Sequence, residues 1–178
     1  LLPDAVSDTA VKTTSAQKRS TRQWAFAAAS LATPLSGGIA SGALGVETAE
    51  VLREMANAVW AIADSNNDNQ LAVAKAGGIP RLIGLLKQCL PSLDRDVAGA
   101  LWSLAADSTN QVAIANDGGI PPLVTLLKHG KREAQETAAG AVHALAKTPA
   151  NRDQIANEDA IPLLVQLFDG GTETTIVE

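Results

Sequence analysis

Rings are scarce in this chain: aromatic residues make up 3% of 178 positions, with no Tyr, two Phe and three Trp. A core of ordinary size must therefore come from aliphatic side chains and Ala, and a hydrophobic content of 46% supplies enough for one domain. Small side chains let backbones approach closely, which suits helix packed on helix. Cysteine is almost absent too. Cys89 stands alone, which excludes an intrachain disulfide and a cysteine zinc site and fits a reducing, intracellular compartment. No Asn-x-Ser/Thr acceptor occurs, which points the same way.

Reactive chemistry is equally thin. The two histidines, His129 and His143, stand 14 residues apart with no Cys, Asp or Glu at ligand spacing, so neither a metal site nor a cofactor is expected. There is no Gly-rich Lys loop for phosphates, no nucleophile elbow and no His-Glu-x-x-His, and the expectation is a chain that is not an enzyme. His129 reads as the end of a helix. Asp94, Asp96, Glu133 and Glu136 read as solvated helix starts, where a carboxylate meets the positive end of the dipole. Cys89, beside Leu90 and Pro91, reads as a small apolar filler without a nearby base.

Net charge is −5, unevenly placed. Residues 1–46 hold Lys12, Lys18, Arg19 and Arg22 against Asp4 and Asp8, whereas residues 47–178 hold 10 basic and 17 acidic residues. That acidity repels a phosphate backbone and excludes nucleic acid as the expected partner, favouring a protein or peptide with basic segments. Residues 1–22 read as an extended polar arm. Residues 23–46 contain no charge at all, from Gln23 to Val46, and two readings stand. Either they form an Ala/Gly-rich capping segment, or they cross a membrane after the basic flank of Lys18, Arg19 and Arg22, with Gly38 and Gly42 at small-xxx-small spacing. Pro34 and the richness in Ala, Gly and Ser weigh against a span. A span would make the protein an anchored accessory subunit of an organelle membrane complex, photosynthetic or respiratory. Because the chain opens on Leu1, it is expected to be processed or a piece of something longer.

What is present is a repeat. Gly77-Gly78-Ile79-Pro80, Gly118-Gly119-Ile120-Pro121 and Asp159-Ala160-Ile161-Pro162 recur every 41 residues, the signature of stacked helical units in which Ile79, Ile120 and Ile161 face a shared apolar spine. Each unit opens at Asn69, Asn110 or Asn151, read here as the cap of a short first helix. The Gly pair ends that helix, with Gly78 and Gly119 as punctuation and Gly119 expected in a left-handed conformation. Pro80, Pro121 and Pro162 then start a second helix, where a missing N–H does no harm. A third helix is expected over Asp94–Ala106 and again over about Lys131–Lys147, with an earlier copy in Val51–Ala63. The repeat domain spans 47–178, its last unit incomplete.

In sequence, Asn-Gln-x-Ala-x-x-x-x-Gly-Gly-Ile-Pro-x-Leu-(Ile/Val)-x-Leu-Leu followed by Ala-Gly-Ala-Leu-Trp-Ser-Leu-Ala resembles the armadillo repeat family, in the versions seen in plants and protists. The resemblance covers Val51 to about Asp169. It implies an all-α, right-handed superhelix of three-helix repeats whose third helices line a groove for partner proteins or peptides. The importin-alpha branch carries an Asn ladder there, with a Trp one turn earlier. Here Ala61, Ser103 and Ala144 fill the Asn position and Asn57, Gly99 and Gly140 the Trp position, so nuclear-signal binding is not implied. The row Trp60, Trp102 and His143, with Asn57 and Ser103, is the candidate binding surface of a non-catalytic scaffold. The alternative is that these rings cover the joint between neighbouring third helices.

Overall fold

The computed structural model describes residues 46–170. These form nine helices, with no strand among the described residues: α1 (Val46–Ala63), α2 (Asn67–Lys75), α3 (Gly78–Leu86), α4 (Asp94–Leu104), α5 (Ser108–Asn116), α6 (Ile120–His129), α7 (Arg132–Leu145), α8 (Pro149–Asn157) and α9 (Ala160–Gly170). The arm at 1–22 and the segment 23–46, apart from Val46, lie outside the described residues, and the choice between cap and membrane span lies there with them. Among the described residues no helix is long and apolar enough to cross a membrane.

The helices repeat as first (α2, α5, α8), second (α3, α6, α9) and third (α1, α4, α7). Third helices pack side by side, α1 on α4 and α4 on α7, and each second helix packs on the third that follows it, α3 on α4 and α6 on α7. Val97, Ala98, Ala100 and Leu101 of α4 retain no exposed surface. The two alanines among them let the flanking helices close on α4 from several sides, so this helix lies at the centre of the core.

The expected first-helix caps shift by three residues. The residue before each first helix is Asn66, Asp107 or Thr148. Asn66 Oδ1 accepts from the Asn69 N–H at 3.0 Å, and Asp107 Oδ1 accepts from the Thr109 and Asn110 N–H groups. Asn69, Asn110 and Asn151 instead lie inside the first turn and turn their amides backwards. Asn110 Nδ2 donates to the carbonyls of Leu104 (3.0 Å) and Gln70 (3.3 Å), and Asn151 Nδ2 repeats this with Leu145 (3.1 Å) and Gln111 (3.3 Å). Asn69 Nδ2 reaches the Ile62 carbonyl at 2.8 Å. The next residue adds a rung, for Gln70 Nε2 donates to Ala63 O and Gln111 Nε2 to Ala105 O, each at 2.9 Å, while Arg152 Nε takes Ala146 O. Carbonyls at the end of a helix have no partner within it. Here each third helix has its carbonyls closed by the first helix that follows, and the first helices are tied to one another by the same amides.

The Gly pairs divide two tasks. Gly77 and Gly118 take the left-handed conformation, at φ 75° and 73°, and Asp159 takes it in the third copy at φ 58°. Gly119 has φ −80°, so the left-handed residue expected there is its neighbour. What Gly119 supplies is close approach: a Cβ would stand 2.9 Å from the Ile114 carbonyl oxygen and 3.1 Å from Ile83 Cδ1. Gly78 meets Val73 in the same way. Pro80, Pro121 and Pro162 sit at the second or third helical position rather than the first, still within the turn whose N–H groups are unpaired. Ile79 and Ile120 are buried at 2% and 1% exposure, but Ile161 is 59% exposed. Among the described residues no repeat follows α9, and the side chain that its predecessors press against a neighbour meets solvent.

Two variants test this arrangement. Asn110→Ala removes the amide that ties α5 to Leu104 of α4 and to Gln70 of α2 and should cost about 1–3 kcal/mol in urea unfolding, a buried acceptor losing its donor. Gly119→Val should cost about 1–3 kcal/mol by overpacking against the Ile114 carbonyl; an unchanged Tm would show that the second helix can move away.

Candidate functional site

Trp60 and Trp102 occupy one position in successive third helices, and each meets a glycine of the next. A Cβ on Gly99 would lie 2.6 Å from Trp60 Cδ2, and a Cβ on Gly140 would lie 2.7 Å from Trp102 Cδ2. Each indole thus lies directly on the backbone of the following helix, at the Gly that fills the importin-type Trp position. The two readings of this row meet in one geometry. The rings do cover the joints, and Trp102 is still 42% exposed. Trp60 is less open, because the Arg95 guanidinium stands 5.4 Å from its ring centroid, within the range of a cation–π contact.

Beside these rings runs a groove of about 910 Å³, walled by Arg53, Asn57 and Trp60 of α1, by Asp96 and Trp102 of α4 and by the start of α7. Glu54, Glu133 and Glu136 add carboxylates to its rim and Lys131 an ammonium. Three of the five candidate residues, Trp60, Trp102 and Asn57, share this groove. The other two do not line it: Ser103 is buried at 9% exposure, turned away from its neighbour Trp102, and His143 is exposed near the end of α7. For Ser103 the cause is helical geometry, since adjacent residues point about 100° apart.

The carboxylates at the third-helix starts are not all solvated. Asp94 and Asp96 are buried, at 9% and 8% exposure. Asp96 pairs with Arg95 at 3.5 Å, but the Asp94 carboxylate has no hydrogen bond or ion pair among the described residues, and burial alone pushes it above the usual 3.8. Cys89 is exposed and holds φ 50°, so it is a turn residue and not a packing filler. His129 ends α6 as expected. Among the described residues no three His, Cys, Asp or Glu side chains are grouped to hold a metal ion.

With three-helix units stacked through closed carbonyls and Gly-seated rings, comparison with known proteins becomes decisive. Residues 107–147, spanning α5 to α7, match the family described as Armadillo/beta-catenin-like repeat. Residues 107–147 are an armadillo repeat, and the described helices take the armadillo fold. Similar solved structures include an engineered protein, with 28% identity over 74% of this chain and 53% of that one and a TM-score of 0.66. A designed armadillo repeat protein in complex with the peptide (KR)4 gives 25% identity over 70% and 53%, with a TM-score of 0.65. A computationally designed armadillo repeat protein for modular peptide recognition gives 25% identity, the same coverage and a TM-score of 0.64. The chain spans about half the length of these structures. A comparison with curated proteins returned no match.

Sequence reading missed the Trp-on-Gly seat, although its signal was present: Gly99 and Gly140 lie 39 and 38 residues after Trp60 and Trp102, in both cases one turn before the ring's equivalent position in the next repeat's third helix, the difference being the extra residue in the loop 64–68. For Asp94, the folded state holds its proton to higher pH than the unfolded chain. Stability therefore falls as pH rises from about 3.8 through the raised folded value, and the deficit persists above it. Asp94→Asn should raise Tm at neutral pH, and the gain should shrink as the pH approaches 3.8. A Tm lower than that of the parent chain at neutral pH would mean that the ionised carboxylate is stabilising.

Proposed function

We propose that this armadillo chain is a non-catalytic scaffold that holds an extended partner segment along its third helices, in the groove walled by Trp60 and Trp102. The observation that carries this reading is Trp102: a large ring locked flat on Gly140, yet 42% open to solvent. A ring fixed in place before binding loses little conformational freedom on contact, and rigid aromatic anchors of this kind concentrate binding energy. With no Asn ladder for a peptide backbone, the groove offers aromatic surface and carboxylates, and Glu54, Glu133 and Glu136 suit basic side chains. The 17 acidic residues against 10 basic ones in 47–178 favour the same partner. The similar designed proteins support the reading, since one is described in complex with (KR)4 and another as made for modular peptide recognition.

The peptide (KR)4, labelled and followed by fluorescence anisotropy, is the first probe. Trp102→Ala should weaken its binding about tenfold or more, the scale of a hot-spot anchor, while Glu133→Gln with Glu136→Gln should weaken it and flatten the salt dependence. Equal affinity in Trp102→Ala and the parent chain would overturn the groove as the binding surface.

A further inference from the structure

A second cavity, of about 370 Å³, shares only Pro91 with the groove. It opens where the C-terminal ends of α3 and α6 approach the first residue of α4. Its wall is mainly apolar, made by Leu86, Pro121, Pro122 and Leu126, with Lys87, Thr125 and His129 also lining it, and Asp94 is part of it. That carboxylate is nine-tenths buried and has no partner. Every side-chain nitrogen or oxygen fully hidden from solvent among the described residues has a hydrogen-bond partner. The Asp94 oxygens are therefore not fully hidden, and the cavity that Asp94 lines is the space open to them.

The next repeat shows what the scaffold alone requires at this place. Its equivalent of Asp94, 41 residues on, is Gln135, whose Nε2 donates to the Leu127 carbonyl at 2.9 Å. Leu86 is the equivalent of Leu127. A neutral amide therefore closes the end of the second helix from this position, whereas a carboxylate has no proton to give and gains nothing from a carbonyl. The basic groups nearby do not compensate. Lys87 carries its ammonium to within 3.7 Å of the Cβ position of Gly118, and neither Lys87 nor His129 pairs with Asp94. A buried, unpaired charge is costly to a fold and is satisfied by an opposite charge brought to it.

We propose that this cavity takes the basic side chain of a partner segment, its methylenes against Leu86, Pro121, Pro122 and Leu126 and its cationic head on the Asp94 carboxylate. Its volume lies at the low end for ligand sites, enough for one side chain and not for a folded surface. This contact is separate from the third-helix groove and stands or falls independently of it.

The test is a titration of the full chain with n-butylamine at neutral pH, read by amide ¹H–¹⁵N spectra. Saturable shifts are expected around Lys87, Cys89, Asp94, Thr125 and Gly130. They should persist in Trp102→Ala and weaken at least tenfold in Asp94→Asn, with Asp94→Gln as a second variant that reproduces the Gln135 arrangement. Equal shifts with n-butanol would show a merely apolar pocket, and tighter binding of butyrate would show an anion site; either overturns the proposal, as does unchanged binding in both Asp94 variants. A blocked hexapeptide with a single Lys should bind more tightly than n-butylamine and lose that binding when the Lys is acetylated. Binding no tighter than that of the free amine would assign the cavity to small amines and overturn the partner segment.

Discussion

The backward-turned amide of Asn110, repeated at Asn151, is the interaction on which the stack depends. Every helix end leaves carbonyls that must find a donor, and in a pile of short helices such ends are frequent and close to the core. One side chain closes the end carbonyl of Leu104 or Leu145 and also reaches the backbone of the preceding first helix at Gln70 or Gln111. Because the second contact is to the main chain 40 residues earlier, it sets the spacing of one repeat on the next whatever side chains lie around it. The Thr148 hydroxyl, 2.7 Å from Gln111 Oε1, extends the same seam.

The groove depends on a second spacing. Gly99 and Gly140 remove the Cβ that would hold adjacent third helices apart, and the vacated place is filled by a ring from the helix before. Where an importin-type repeat presents a Trp from its own helix, this chain presents a Gly and borrows the Trp. The ring is consequently part of the joint, with one face spent on packing and the edge left for contact. A side chain with both duties couples groove shape to the angle between repeats, so a partner that leans on Trp102 also leans on the α4–α7 joint.

Much of this was legible in 41-residue periodicity. The existence and order of the helices, their approximate limits and the buried Ile79 and Ile120 follow from Gly, Pro and aliphatic spacing, because those residues act on backbone nearby in sequence. The misassignments share a cause of the opposite kind. Asn69, Asn110 and Asn151 look like caps because Asn next to a helix start usually serves its own helix; here the demand came from another helix, and at the first two starts Asn66 and Asp107 had already met the local one. Gly119 looked left-handed, but its constraint is the Ile114 carbonyl folding back over it. Asp94 looked solvated because a carboxylate at a helix start usually is, and only packing by α6 and the Pro91 turn buries it. Ser103 entered the candidate row through family alignment and left it through helical rotation.

The exposed side chains of α9 show how these local rules add up. Ile83 and Val124 are buried at 2% and 5%, whereas their equivalent, Val165, is 54% exposed, as Ile161 is beside it. Fully burying one such aliphatic side chain is worth about 1.5–3 kcal/mol. Nothing in the local sequence of α9 distinguishes it as a weaker helix; among the described residues it lacks a third helix such as packs on α3 and on α6, and the repeat beyond. Ile83 makes the point from the other side, since its Cδ1 lies against Gly119 at the opening of the next second helix. Each repeat is thus stabilised both by its own third helix and by its successor. Stability in this chain is a property of joints between repeats, and the residues that bear most on it are those that serve a helix other than their own.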